Sequence, residues 1–254
     1  ADATVSIYSG GTLLGQATAS SGGVVSFVPS TALSDGTYSL SATATDAAGN
    51  TSAAGSAVSL VVDTAAPSVP TVAVTSPTND NTPAITGTAE ASSTVELYAG
   101  GQALGQAAAD GNGSYSFTPG TALADATYSV TATATDSAGN SSAASSGVTL
   151  LVDTATPAAP TLTGTSPANT STPQLTGIAE ANATVTVYDG DTSVGQATAG
   201  GDGVYTVTVS ALSDGSHSLT AKASDAAGNT SLAGAAFTIL IDTAIPAAPT
   251  ITGT

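Results

Sequence analysis

Carboxylates recur at matching places along this sequence, and their spacing is its most informative chemical feature. An aspartate closes an apolar run just before a proline-rich segment in VVDTAAP (Asp63), LVDTATP (Asp153) and LIDTAIP (Asp242). A glutamate recurs in TAEAS (Glu90) and IAEAN (Glu180). Carboxylates grouped without basic neighbours are typical ligands of hard divalent cations such as calcium.

A third set of acids opens the motif DAAGN or DSAGN, at Asp46, Asp136 and Asp225. Successive members are 90 and 89 residues apart, and the segments around them repeat with the same spacing. A period of this length indicates tandem domains rather than one large core. The predicted repeats cover residues 1–69 (without their opening strands, since residue 1 aligns with Ala91), 70–159 and 160–248, and residues 249–254 open another repeat.

The charge balance limits the classes of partner. One basic residue, Lys222, stands against 18 acids, for a formal net charge of −17. Such a chain cannot neutralise phosphates, so nucleic acid and anionic membrane surfaces are excluded as partners and a cationic partner is favoured. No apolar run is long enough for membrane insertion. The lack of cysteine means that an extracellular form needs another stabiliser, and the lack of methionine indicates a piece of a longer chain.

Alternation of apolar and polar residues predicts short β-strands separated by glycine- and proline-rich turns. About seven strands in each 90-residue copy are typical of an immunoglobulin-like sandwich. The sequence therefore predicts an all-β chain of tandem immunoglobulin-like sandwiches forming an elongated rod. In the second repeat the predicted strands are 70–75, 82–90, 93–99, 102–108, 114–118, 127–135 and 147–152.

Strand order predicts where the acids meet. Successive strands alternate in direction, so the second-to-third and sixth-to-seventh loops of one repeat face the end of the last strand of the repeat before it. Carboxylates about 5 Å apart repel by roughly 3 kcal/mol per pair at an effective dielectric near 20, and calcium would offset this. The predicted metal ligands are Asp63, Glu90 and Asp136 at the first joint, Asp153, Glu180 and Asp225 at the second, and Asp46 and Asp242 as partial sites.

Turn chemistry is the alternative explanation for each acid, because an aspartate side chain readily accepts a hydrogen bond from the backbone two residues on. For Asp35, Asp125 and Asp214, in the SDG and ADA turns, turn formation is favoured. Asp189 and Asp191 occur in one repeat only and are interpreted as solvated surface.

The single histidine, His217, is predicted to be structural. It takes the place of the tyrosine in LSDGTY and LADATY, at Tyr38 and Tyr128, and these stretches resemble a tyrosine corner.

The combination TDxAGN, VDTxxPxxP and TGxAExxxTVxVYxGG resembles the tandem bacterial Ig-like repeats of giant adhesins, the biofilm-associated and type I-secreted kind. The resemblance covers the whole chain. It implies a rod outside the cell, anchored to the bacterial surface at one end and carrying a binding region at the other. It also implies calcium at the domain joints, on the residues named above.

The leading functional hypothesis is a calcium-stiffened structural spacer that presents a distal adhesive region. Its partners would be neighbouring repeats of the same chain, calcium ions and other cell-surface chains. The alternatives are a subunit of an extracellular filament or surface layer, and a repeat that itself binds a glycan or host protein. An enzyme is not expected, because there is no cysteine, one structural histidine and no Ser-His-Asp arrangement.

Overall fold

The computed structural model describes residues 2–251 as an all-β protein, in agreement with the predicted fold class. These residues include no helix that is long and apolar enough to cross a membrane. The predicted opening of a further repeat at 249–254 lies partly outside the described residues. The strands are β1 (Thr4–Ser9), β2 (Thr12–Thr18), β3 (Gly36–Thr45), β4 (Val58–Val62), β5 (Ile85–Thr88), β6 (Thr94–Ala99), β7 (Gln102–Ala108), β8 (Ser114–Phe117), β9 (Ala126–Thr135), β10 (Val148–Val152), β11 (Gln174–Ile178), β12 (Thr184–Asp189), β13 (Thr192–Thr198), β14 (Val204–Thr208), β15 (Gly215–Ser224) and β16 (Phe237–Ile241).

The second and third repeats share one topology. In each, a four-stranded antiparallel sheet lies opposite a two-stranded one: β10-β9-β6-β7 with β5-β8 in the second repeat, and β16-β15-β12-β13 with β11-β14 in the third. An opening segment borders the small sheet, where Ala73 bridges Thr86. It then crosses to the large sheet, where Thr78 forms a parallel bridge to Val152.

Strict alternation along β9 explains why it is a strand. Val130, Ala132 and Ala134 are fully buried, whereas Thr131 and Thr133 between them are half-buried. Small and β-branched side chains fill the space between the sheets, with Leu97 and Leu150 among the fully buried residues. This alternation places one face of β9 in the core of the repeat.

The first repeat has one sheet, β2-β1-β3-β4, among the residues that the structure describes. Residues 24–29, which match β8 and its flank, form no strand. Val24 and Val28 in this segment are 71% and 83% exposed. The two-sheet sandwich is therefore described in full only for the second and third repeats.

Two predicted strands are shorter than expected. Residues 70–75 form one isolated β-bridge, at Ala73, and a hydrogen bond from Thr71 N to the Thr88 carbonyl in place of a strand, and the predicted strand 82–90 is limited to Ile85–Thr88. Pro70, Pro77 and Pro83 lie in or beside these stretches, and proline has no N–H to donate to a ladder. The repeat boundaries given above stay a prediction.

Candidate functional site: the joints between repeats

An asparagine forms the most direct contact at the joint between the second and third repeats. Asn229, which ends the DAAGN motif of the third repeat, donates from Nδ2 to the backbone carbonyl of Asp153, where β10 ends, at 2.7 Å. The same amide group donates to Asp225 Oδ2 at 2.8 Å. Asn229 is only 7% exposed. Its side chain thus bridges the turn of one repeat to the last strand of the repeat before it.

A second hydrogen bond supports this joint. The backbone N–H of Asn79, in the opening segment of the second repeat, donates to the carbonyl of Ala227 at 3.1 Å. Asn79 follows Thr78, which bridges Val152 on β10. The end of β10 and the opening segment of the second repeat therefore both form hydrogen bonds to the DAAGN turn of the third repeat.

The joint between the first and second repeats has the same asparagine contact, at a longer distance. Asn140 Nδ2 donates to the carbonyl of Asp63 at 3.1 Å and to Asp136 Oδ2 at 2.8 Å. Asn140 is half-buried rather than buried. In the first repeat the equivalent Asn50 is exposed, and its amide contacts Asp46 Oδ2 at 2.8 Å.

Within each DxAGN turn the aspartate acts as an acceptor for backbone donors. Asp136 Oδ1 accepts hydrogen bonds from the N–H groups of Ala138 and Asn140, both at 2.9 Å. The bond from the Asn140 side chain, together with these backbone bonds, lowers the pKa of Asp136 below its ordinary value. The Asn50 side chain lowers the pKa of Asp46 in the same way. The turn chemistry considered as an alternative is therefore present at these positions.

The structure brings the three acids predicted at the second joint to one cavity. Asp153, Glu180 and Asp225 line a space of about 200 Å³ together with Pro77 and Leu151. These three side chains present carboxylate oxygens, and calcium binds oxygen ligands. However, within residues 2–251 no three His, Cys, Asp or Glu side chains are grouped closely enough to hold a metal ion. The donor chemistry fits calcium, but the donors are not assembled around a common point.

The other predicted ligands lie at the strand ends and loops that the sequence indicated. Asp63 and Asp242 follow the last strands of their repeats, and each accepts a bond from the N–H two residues on. Glu90 is exposed in the loop after β5, and its backbone carbonyl accepts hydrogen bonds from Ser93. Whether any of these residues binds calcium stays a prediction.

The aspartates of the SDG and ADA turns have a role that was not predicted. Asp125 Oδ1 accepts from both the N–H and the Oγ1 of Thr154, at 3.1 and 2.9 Å. Asp35 and Asp214 bind Thr64 and Thr243 in the same manner. These carboxylates therefore anchor the first residue of each proline-rich linker, across 29 residues of sequence.

The predicted corners are present. Tyr38 and Tyr128 donate to the carbonyls of Ser34 and Ala124, and His217 Nε2 lies 2.9 Å from the carbonyl of Ser213. Asp191 is exposed, as expected.

Asp189 corrects the sequence interpretation. It is half-buried, and its Oδ2 lies 2.7 Å from His217 Nδ1. Asp189 pairs with Leu219 in the register of β12 and β15, so it sits diagonally across from His217. Its appearance in a single repeat suggested surface, but it accompanies the only histidine of the chain.

The two complete repeats, with their paired sheets, corner residues and bridging turns, define the chain as a series of immunoglobulin-like sandwiches. A family model described as "Bacterial Ig-like domain" matches residues 1–64, 73–154 and 158–243. The chain belongs to this family, as the motifs predicted. No curated protein matches the sequence.

Several solved structures are similar to the chain. The fibronectin(III)-like modules of Clostridium thermocellum CbhA are 19% identical, with a TM-score of 0.46, and the match covers 72% of this chain and 100% of that one. A tetra-tandem repeat from the extending region of a large adhesion protein is 25% identical, with a TM-score of 0.34 and coverages of 93% and 66%. The BSP domain of a biofilm-associated protein is 18% identical, with a TM-score of 0.30 and coverages of 83% and 43%.

Proposed function

We propose that the chain is a spacer segment of a bacterial cell-surface adhesin, in which successive sandwiches hold a distal binding region away from the cell. The observation that carries this proposal is the asparagine bridge, because Asn140 and Asn229 make the same contact to the preceding repeat at both joints. A contact that recurs at every joint would fix the distance and the orientation between successive repeats, as a spacer requires.

The linkers support stiffness as well. Pro67, Pro70, Pro157 and Pro160 are all buried, so the proline-rich segments lie against the repeats instead of hanging free. Proline also restricts the backbone of these segments. At each linker the first threonine is anchored by an aspartate of the repeat that it leaves. Bending at a joint would have to break these contacts together.

Calcium binding at the joints is part of the proposal. Asp153, Glu180 and Asp225 would hold the ion at the second joint, and Asp63, Glu90 and Asp136 at the first. A bound cation would neutralise carboxylates that form no salt bridge with a basic side chain within residues 2–251. Because the carboxylates are not assembled, binding requires them to draw closer, and that movement would tighten the joint.

Solution scattering in calcium and in excess chelator tests both parts of the proposal. Three stiffly linked repeats of about 40 Å each, from ~3.3 Å per strand residue, give a maximum dimension of about 120 Å. We expect calcium to raise the melting temperature and to narrow the distribution of particle lengths. Asp153→Ala should remove the effect at one joint, while Asp191→Ala, which deletes an exposed acid away from the joints, should leave it intact.

The possible outcomes separate the two parts. An extended particle that ignores chelation rejects calcium but keeps the spacer, whose joints are then held by asparagine alone. A compact or broadly flexible particle in both conditions rejects the spacer.

Glycan binding by the repeats is a second candidate, favoured by one observation. Each repeat places a half-buried tyrosine on the outer face of its large sheet, at Tyr8, Tyr98 and Tyr188. The neighbouring positions are polar, and aromatic rings beside polar groups are common in ligand sites. Retention of the chain on immobilised polysaccharides, lost in Tyr98→Ala, would support this candidate. Equal retention of the variant would reject it.

A further inference from the structure

The third repeat differs from the others in the chemistry of its corner. In the first two repeats a tyrosine hydroxyl donates one hydrogen bond to a carbonyl four residues back, from Tyr38 to Ser34 and from Tyr128 to Ala124. His217 occupies this position in the third repeat, with Nε2 2.9 Å from the carbonyl of Ser213. Histidine is the side chain whose charge most readily changes near neutral pH.

A second change accompanies the first. Asp189, at the end of β12, puts Oδ2 2.7 Å from His217 Nδ1. The matching positions on β1 and β6 are Ser9 and Ala99, neither of which is ionisable. Histidine and its carboxylate partner therefore occur together in one repeat and are both absent from the corners of the other two.

The corner of the third repeat requires two N–H donors from one imidazole ring. Both ring nitrogens of His217 face acceptors, a backbone carbonyl and a carboxylate, while a neutral imidazole carries only one N–H. Only the imidazolium can donate to both. We propose that the corner of the third repeat is a proton-sensitive switch, closed when His217 carries two protons and strained when it carries one.

The surroundings leave this pair isolated. From β12 the group that faces the ring is Asp189, and β16 contributes no titratable side chain between Phe237 and Ile241. Before β15, the Asp214 carboxylate is bound by Thr243. In the part of the chain that the structure describes, neither Asp191 nor Asp242 hydrogen-bonds the ring.

The effect reaches the linker that leaves the third repeat. Ser213, the carbonyl partner of His217, is followed directly by Asp214, whose Oδ1 accepts from Thr243 N at 3.1 Å and from Thr243 Oγ1 at 2.8 Å. A shift of the Ser213 carbonyl would displace the carboxylate beside it. The switch therefore controls how firmly the start of this linker is held, whether or not calcium binds at the joints.

The direction of the response follows from the two bonds. The backbone carbonyl of Ser213, and then the Asp189 carboxylate, raise the pKa of His217 above its ordinary value, despite partial burial. Because the folded-state pKa is the higher one, the stabilisation is complete below the unfolded value of about 6.5 and is lost as pH rises through the folded value.

His217 is the only histidine of the chain, so its ring signals in an NMR titration are unambiguous. We expect the midpoint in the folded chain to lie above that in urea, and Asp189→Ala to bring it back down. A folded midpoint equal to or below the urea value overturns the switch. So does a midpoint that Asp189→Ala does not change.

Amide exchange tests the link to Thr243. Its protection factor, which corrects for the intrinsic pH dependence, should fall several-fold from about pH 6 to about pH 8.5. Thr64 and Thr154 make the same aspartate contact next to tyrosine corners, so their protection should stay constant. In the double variant Asp189→Ala with His217→Tyr, which recreates the corner of the second repeat, Thr243 should become as insensitive as Thr154. If wild-type Thr243 already behaves as Thr154 does, the corner does not control the linker.

Discussion

The two joints of this chain use the same asparagine contact but hold it with different support. At the second joint Asn229 is buried, its bond to the Asp153 carbonyl is 2.7 Å long, and Asn79 adds a backbone bond from the opening segment of the second repeat. At the first joint Asn140 is half-buried and its bond to Asp63 is 3.1 Å long. The second joint therefore combines the asparagine bridge with a backbone hydrogen bond from the opening segment of the second repeat.

Among the substitutions considered, one at Gly87 should have the largest effect on the difference between the two joints. A Cβ at Gly87 would overlap the carbonyl oxygen of Thr71, in the opening segment, and the ring of Tyr115. We expect Gly87→Ala to cost the second repeat about 3 kcal/mol, because one of two backbones must move. The opening segment would then shift and take Asn79 away from Ala227, so the second joint would keep only its asparagine bridge.

Denaturant unfolding and amide exchange at Asn79 measure this effect. Gly111→Ala is the matched control, since nothing lies within 4 Å of a Cβ there. If Gly87→Ala unfolds as readily as Gly111→Ala, the close approach does not limit the position.

Substitution of the joint asparagines should lower stability by an intermediate amount, and by more at the second joint than at the first. Asn229→Ala removes a buried side chain and leaves the carbonyl of half-buried Asp153 and the carboxylate of half-buried Asp225 short of a donor, which costs about 1–3 kcal/mol. Asn140→Ala should cost about 0.5–1 kcal/mol, because water can replace the lost bond at a half-buried position. Asn50→Ala, at the exposed equivalent, serves as the control.

Residual dipolar couplings between neighbouring repeats, with melting curves, give the readout. We expect the loss of stability to be largest for Asn229→Ala, smaller for Asn140→Ala and smallest for Asn50→Ala. Equal losses at the three positions would mean that the asparagine stabilises only its own turn.

The smallest effect is expected where the joints are alike. Asp35 and Asp125 hold Thr64 and Thr154 with nearly equal distances, and all four residues are exposed. Asp35→Ala and Asp125→Ala should each cost less than about 1 kcal/mol. Exchange rates of the Thr64 and Thr154 amides should rise together. A much larger change at one linker would show that the two linkers are not equivalent, contrary to the shared contact.

The sequence alone predicted the elements that depend on local pattern. Alternation located β6, β7 and β9 to within about a residue. The repeat spacing, with the strand order, predicted that acids lie near the joints. It could not assign the asparagine of DxAGN a partner, because that contact depends on how one repeat meets the next. Its recurrence in all three copies at a fixed distance from the aspartate was the available signal. The pairing of Asp189 with His217 was hidden for a similar reason, since the register between β12 and β15 decides it.

The asparagine bridge ends on a main-chain carbonyl, and every residue type provides one. The upstream repeat therefore contributes a shape at its last strand, with no particular side chain needed for that bond. Gene duplication or loss of whole repeats would recreate the same junction at each new boundary. Such a chain can change its length by recombination without having to evolve a new interface.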